Sequence, residues 1–270
     1  MRNMLWLLAI VIIISMAYPG AGNAESFIKV RGLGWDSAIS GKIRADEGLL
    51  AGSSIDLNDT LGITDSTVVP EIEGKIGFLG TSRFIIAYSP ASYEGRKRSY
   101  QQLNFGGKTF VGGGEMLDTQ LDISVASVLY EFAPLPEGVA QPVTSGEPEM
   151  GVLLGLKYFH TEAQITSNST GLVANKTFGL PIPVVGLRIQ GRLAENMQLE
   201  SAGTWMSLKT KDADLYWSDL YGELKLSVVP KIPFGIGYKL TRLTVKSDMG
   251  QSFLSRFGFK GWYLMASIEL

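Results

Sequence analysis

His160 is the only histidine in the chain, and it sits in the triplet His160-Thr161-Glu162. Histidine is the side chain whose ordinary pKa places a proton exchange near neutrality, and a carboxylate two residues away could hold its charge. This is therefore the one stretch where general acid–base chemistry could be built. A hydrolytic centre also needs a nucleophile within reach and a group that orients the imidazole. The residue two along is Glu162 rather than a serine, so the triplet supplies an acid but not the serine nucleophile. His160 also shares its alternation parity with Leu156 and Tyr158, which points it to lipid headgroups unless a bulge intervenes. Catalysis at His160 is a remote alternative, and no cofactor is implied.

A larger set of charges lies within alternating segments. The acids are Glu71, Glu73, Asp122, Glu200, Asp219, Glu223 and Glu269, and the bases are Lys75, Lys157, Arg188, Arg192, Lys225 and Lys239. Each falls on the more polar of two rows. Charges facing a common interior must pair, so these thirteen residues would either lock together as a plug or line a narrow polar path. Asp56, Asn58 and Asp59 look like the start of a calcium loop, but the glycine at the sixth position and the closing glutamate are missing, which favours an Asx-turn. Gly106-Gly107 and Gly112-Gly113-Gly114 lack the strand–helix setting of a phosphate loop and read as a hairpin tip. With no cysteine, disulfides and thiolate metal sites are excluded. A formal net charge of −2 gives nucleic acid no electrostatic hold.

The elements that must position these groups repeat with a period of two. In 257–270, Trp262, Leu264, Ala266, Ile268 and Leu270 form an apolar row opposite Tyr263, Met265, Ser267 and Glu269. Such a strand at the end of a chain would template aggregation, unless it closes against the first strand and turns its apolar row to lipid. Ten segments carry the pattern: 27–44, 70–78, 83–97, 117–132, 151–166, 178–192, 197–208, 215–229, 234–246 and 257–270. In the first, the parity changes between Ile28/Val30 and Leu33/Trp35/Ile39, which predicts a bulge near Gly32–Gly34. In the fourth, Leu121, Ile123, Val125 and Leu129 form the expected lipid row against Asp122, Ser124, Ala126 and Tyr130. Short and long connections mostly alternate; the exception is the long 133–149, which falls on the turn side. Trp35, Trp205, Trp217, Trp262, Tyr88, Tyr158, Tyr216 and Tyr238 are assigned to girdles at the membrane interfaces. Tyr93, Tyr100, Phe105 and Phe110 are the aromatics that could stack on a surface sugar.

Ahead of the first strand, Arg2, the apolar run 5–16, the break at Pro19-Gly20 and the small-x-small triplet Gly22-Asn23-Ala24 have the order of a secretory signal. Cleavage near Ala24 divides the chain into a signal peptide, 1–24, and one domain, 25–270. Near-zero mean hydropathy without a second helical span fits a barrel whose lumen rows offset its lipid rows.

The triplet Gly22-Asn23-Ala24, the alternating rows and the terminal stretch from Trp262 to Leu270 resemble the small outer-membrane β-barrel proteins of Gram-negative bacteria, the group that includes OmpA-type barrels. The resemblance implies an all-β, antiparallel up-and-down transmembrane barrel of about ten strands, or eight or twelve if segments are merged or split. It also implies residence in the outer membrane, contact with outer-membrane lipid, and delivery by periplasmic chaperones to the barrel-assembly machinery. In that group the last strand carries the insertion signal, here Trp262, Leu264, Ile268 and Leu270. Leu270 departs from the usual terminal aromatic. The expected role is structural, with interactions made through the surface loops around a narrow or plugged lumen. The alternative is a small-solute diffusion channel.

Overall fold

A computed structural model describes residues 27–46, 51–78, 82–132, 149–210, 213–229, 231–247 and 253–270. The expected signal peptide and most of the 133–149 connection lie outside the described residues. Thirteen strands are formed: β1 (Phe27–Ala45), β2 (Ile55–Asp56), β3 (Thr67–Phe78), β4 (Ser82–Ser99), β5 (Leu103–Phe105), β6 (Lys108–Phe110), β7 (Glu115–Phe132), β8 (Glu149–Ser167), β9 (Val173–Ala194), β10 (Met197–Lys209), β11 (Ala213–Val229), β12 (Ile232–Ser247) and β13 (Phe253–Glu269). Ten of them, β1, β3, β4 and β7 to β13, pair antiparallel in chain order, and β13 returns to β1 to close the barrel. Closure leaves the C-terminal strand no free edge: Val30 pairs with Ile268, and Trp35 with Tyr263.

The strands are longer than lipid requires. Roughly 9–11 residues of a tilted strand cross a bilayer, whereas β4, β7 and β8 have 18, 18 and 19 residues. The surplus projects on the side of the long loops. Ile72, Leu154, Leu156, Val185, Leu187, Leu220, Phe234, Ile236, Trp262, Leu264 and Ile268 stand exposed on the outer surface, as a lipid-facing band should.

Two faces differ from the sequence expectation. Both ladders of β1 run without a register shift, so the bulge near Gly32–Gly34 is absent. Leu33, Trp35, Ile39 and Ile43 are buried inside the barrel. In β7 the expected lipid row is also internal: Leu121, Ile123 and Leu129 are buried, and Val125 packs on them. Within the membrane a barrel is apolar outside and polar inside. Above it, water bathes the outside and the interior is dry, so the two rows exchange character along one strand.

Candidate functional site

The lumen has three levels. At the turn side, Glu200 is almost wholly buried and gathers three donors. Lys225 Nζ lies 2.5 Å and Arg188 Nη1 3.3 Å from its Oε2, and the Tyr221 hydroxyl donates to its Oε1 at 2.6 Å. Arg188 also reaches Glu131 Oε1 at 2.6 Å and Glu149 Oε1 at 3.0 Å. Arg83 meets the same two carboxylates. Arg31 Nη2 lies 3.2 Å from Glu223 Oε2, which also accepts from the Tyr263 hydroxyl at 2.8 Å, and Arg31 Nη1 is 3.9 Å from Glu73. Lys75 is buried among these groups. Strands far apart in sequence are thereby tied across the bore.

The middle level holds two further pairs, each under an indole. Lys157 Nζ is 2.8 Å from Asp219 Oδ2 and 5.3 Å from the centre of the Trp217 ring. Lys239 Nζ is 2.7 Å from Glu71 Oε2 and 5.2 Å from the centre of Trp35. Thr241 completes Asp219 with a 2.7 Å bond. Trp35 and Trp217 are therefore lumen residues rather than girdle residues, because the two lysines offer their rings cation–π partners that lipid cannot. Trp205, Trp262, Tyr158 and Tyr216 are exposed on the outer face, where the girdle assignment put them. Between the pairs and the small side chains of Ala87, Ser89 and Ala91 lies a cavity of about 100 Å³.

The upper level is apolar. The first surface loop folds inward and buries Ile55, Leu57, Leu61 and Ile63 completely. The Asp56 carboxylate accepts from the Asn58 and Asp59 N–H groups at 3.0 and 2.9 Å, which is an Asx-turn. The β5–β6 hairpin adds Leu103, Phe105 and Phe110, which meet Leu117, Leu121, Phe159, Ile165 and Phe257 in one core. The expected sugar-stacking surface does not form: Tyr93, Phe105 and Phe110 are buried, and of the four only Tyr100 is exposed. At the rim, hydrogen bonds led by the Ser167 hydroxyl, with Ser169 next, hold the Glu115 carboxyl below the usual carboxylate range.

Of the thirteen charges singled out from sequence, ten lie in the lumen: Glu71, Glu73, Lys75, Lys157, Arg188, Glu200, Asp219, Glu223, Lys225 and Lys239. Asp122 is a correction. It pairs in register with Glu162 and Ser92 on the outer surface, because β7 has left the lipid at that height and its polar row faces water. Arg192 and Glu269 have lumen parity but are exposed where the bore opens at the turn side. The sequence reading missed Arg31, Arg83, Glu131 and Glu149. Arg31 was hidden by the expected bulge, yet it shares its parity with Trp35. Glu131 and Glu149 flank a connection that reads as loop.

His160 lies on the outer face, and its ring stacks on Tyr158 at 6.4 Å and 17°. Ser124 is its register neighbour. Among the described residues no hydrogen bond joins His160 to Ser124, Asp122 or Glu162.

Long antiparallel strands closed by the first and last of them thus surround a charge-filled bore. The chain has the outer-membrane β-barrel fold. It is similar to the outer membrane protease OmpT of Escherichia coli, with a TM-score of 0.56 at 10% identity over 92% of this chain and 98% of that one. It is also similar to the translocator domain of the autotransporter NalP of Neisseria meningitidis (TM-score 0.46, 9% identity, 99% and 95% covered). Ail of Yersinia pestis gives a TM-score of 0.37 at 10% identity, over 90% and 99%. No family model and no curated protein matches the sequence. At these identities the likeness is one of fold.

Proposed function

We propose that this barrel resides in the outer membrane of a Gram-negative bacterium as a non-conducting, non-enzymatic protein that acts through its outward-projecting end. The observation that carries this reading is the double closure of the lumen. Salt-bridged carboxylates and guanidinium groups fill the turn side, and the folded loops fill the other end with apolar side chains. A diffusion channel would need a continuous wet path, and the buried Ile55, Leu57, Leu61 and Ile63 stand across it. The stacking of His160 on Tyr158, with no hydrogen bond to Ser124, Asp122 or Glu162 among the described residues, supports a girdle role over catalysis. The outward row Trp262, Leu264, Ile268 and Leu270 is the surface that lipid and the barrel-assembly machinery would meet.

The projecting end offers contact residues. Tyr100 and Val111 are each 75% exposed on either side of the β5–β6 hairpin, whose root is fixed in the core. An exposed aromatic on a rigid base orders at little entropic cost when a partner binds. Photo-crosslinking residues placed at 100 and at 111 in intact cells are expected to give discrete higher-mass adducts, whereas the lipid-facing position 220 gives none. No adduct at either tip position would remove the interaction reading.

A further inference from the structure

The barrel wall is interrupted between β3 and β4. Their ladder runs only from Phe78↔Ser82 to Ile72↔Tyr88. Above that, 67–71 of β3 pair only with β1, and 89–99 of β4 only with β7. The cause is legible in the chain. Successive residues of an antiparallel strand turn their N–H and C=O to opposite neighbours. The Leu57 N–H bonds to Gly41 O at 3.0 Å, so the odd residues of β1 face the β3 side. The pairs Leu33↔Glu71 and Trp35↔Val69 then turn the even residues of β3 toward β4. Continuing the register beyond Ile72↔Tyr88 by two residues sets Pro70 opposite Pro90, at a position where each should donate to the other. Neither has an N–H, so the ladder stops.

The interruption lies between two hollows. The lumen cavity reaches it from inside, and an outward cleft bordered by Pro70, Pro90 and His160 reaches it from outside. Ala91 and Ile123, partners in the intact β4–β7 ladder, line both hollows, so they form the border of the unpaired β3–β4 stretch on the β4 side. The registers place Pro90, Ser124 and His160 one row above Tyr88, Ala126 and Tyr158, next to the outer aromatic girdle. Unpaired strand backbone is costly against lipid tails and tolerable at the headgroup level. Inside, Arg31 Nε and Trp35 Nε1 are buried donors without a partner among the described residues, and both residues line the cavity.

We propose that this interruption is a lateral window through which the lumen cavity takes up a single-chain amphiphile from the outer leaflet. The chain would lie along the small apolar wall of Ala87, Ala91 and Val125, and its acceptor-bearing head would face the unpartnered donors. The lumen is then a blind pocket loaded from the side, not a path across the membrane. This inference does not depend on the contacts proposed for Tyr100 and Val111.

The test uses folded full-length mature protein in which Trp205→Phe and Trp262→Phe leave Trp35 and Trp217, the two indoles of the cavity. The probe is 2-bromoundecanoate, whose bromine sits beside the carboxylate that would face Trp35 Nε1 and quenches tryptophan on contact. Saturable quenching is expected, with none from bromoacetate, which has the head but no chain. Pro70→Thr with Pro90→Thr restores both donors, so the ladder can close. Ala91→Leu fills the junction without touching the ladder. Loss of saturable quenching in the folded proline double variant supports the window, and loss in folded Ala91→Leu supports the seat of the chain on that wall. Quenching that is merely linear in probe, or saturable quenching unchanged in both variants, overturns it.

Discussion

Glu200→Ala is expected to destabilise the folded barrel by about 3–5 kcal/mol, the range found when one member of a buried charged group is removed. The carboxylate is 1% exposed and shared by Lys225, Arg188 and Tyr221. Removing it leaves two cations in the bore with fewer anions than they need, and no water column to take over. Arg188 keeps Glu131 and Glu149, and Lys225 keeps Glu223 at 3.3 Å, so the cost stays finite. Glu200→Gln keeps the shape and an acceptor and should cost less. Because the groups act as a unit, Glu200→Ala with Lys225→Ala should cost less than the sum of the two single changes, with a coupling of about 0.5–3 kcal/mol. Denaturant unfolding in lipid vesicles measures all three. A change below about 1 kcal/mol for Glu200→Ala, typical of solvated pairs, would mean that the turn-side network is hydrated and open.

Trp217→Ala carries the second large effect, again about 3–5 kcal/mol, as for other large-to-small changes of a buried aromatic. The indole is 1% exposed, lies under the Lys157 ammonium at 5.3 Å, and donates from Nε1 to Thr204 Oγ1 at 3.4 Å. Its loss enlarges the middle cavity without touching either closure. The variant should therefore be less stable and still non-conducting. Trp217→Phe, which keeps a ring face for Lys157, should recover part of the loss. If Trp217 faced lipid as an ordinary girdle residue, alanine would cost far less, and unfolding midpoints would separate the two cases.

The barrel was legible in the sequence because the lipid imposes one rule along every strand that crosses it. The rows of Leu220/Leu224/Leu226 against Asp219/Glu223/Lys225, and of Trp262/Leu264/Ile268 against Tyr263/Met265, follow that rule and sit as read. Where strands leave the lipid the rule inverts, and alternation alone cannot say at which residue. That is why Asp122 and Leu121 exchanged faces in β7. Leu33 and Trp35 suggested a bulge in β1 because they are apolar lumen residues at lipid height, in register with Met265 and Tyr263. Trp35 and Trp217 went inside because lysines on β12 and β8 meet their rings, a contact that pattern does not show. Most of the lumen charges could be read from parity. Arg31, Glu131 and Glu149 could not, since their strands' faces or ends were misassigned; Arg83 has the inward parity of 83–97, opposite to Phe84, and was passed over. The inward folding of the first loop was invisible in the sequence. Ile55, Leu57, Leu61 and Ile63 lie among polar residues and become a core only when the β5–β6 hairpin meets them.

The central claim is that the barrel is closed from end to end, and planar-bilayer conductance of the mature protein tests it most directly. The protein would be folded in detergent, with its gel-mobility shift on boiling as the folding control. Folded protein that adds no current steps above the lipid background is the predicted result. Steady steps of uniform size, with an ion selectivity that changes when Arg188 is neutralised, would contradict it and make the salt-bridged bore a channel.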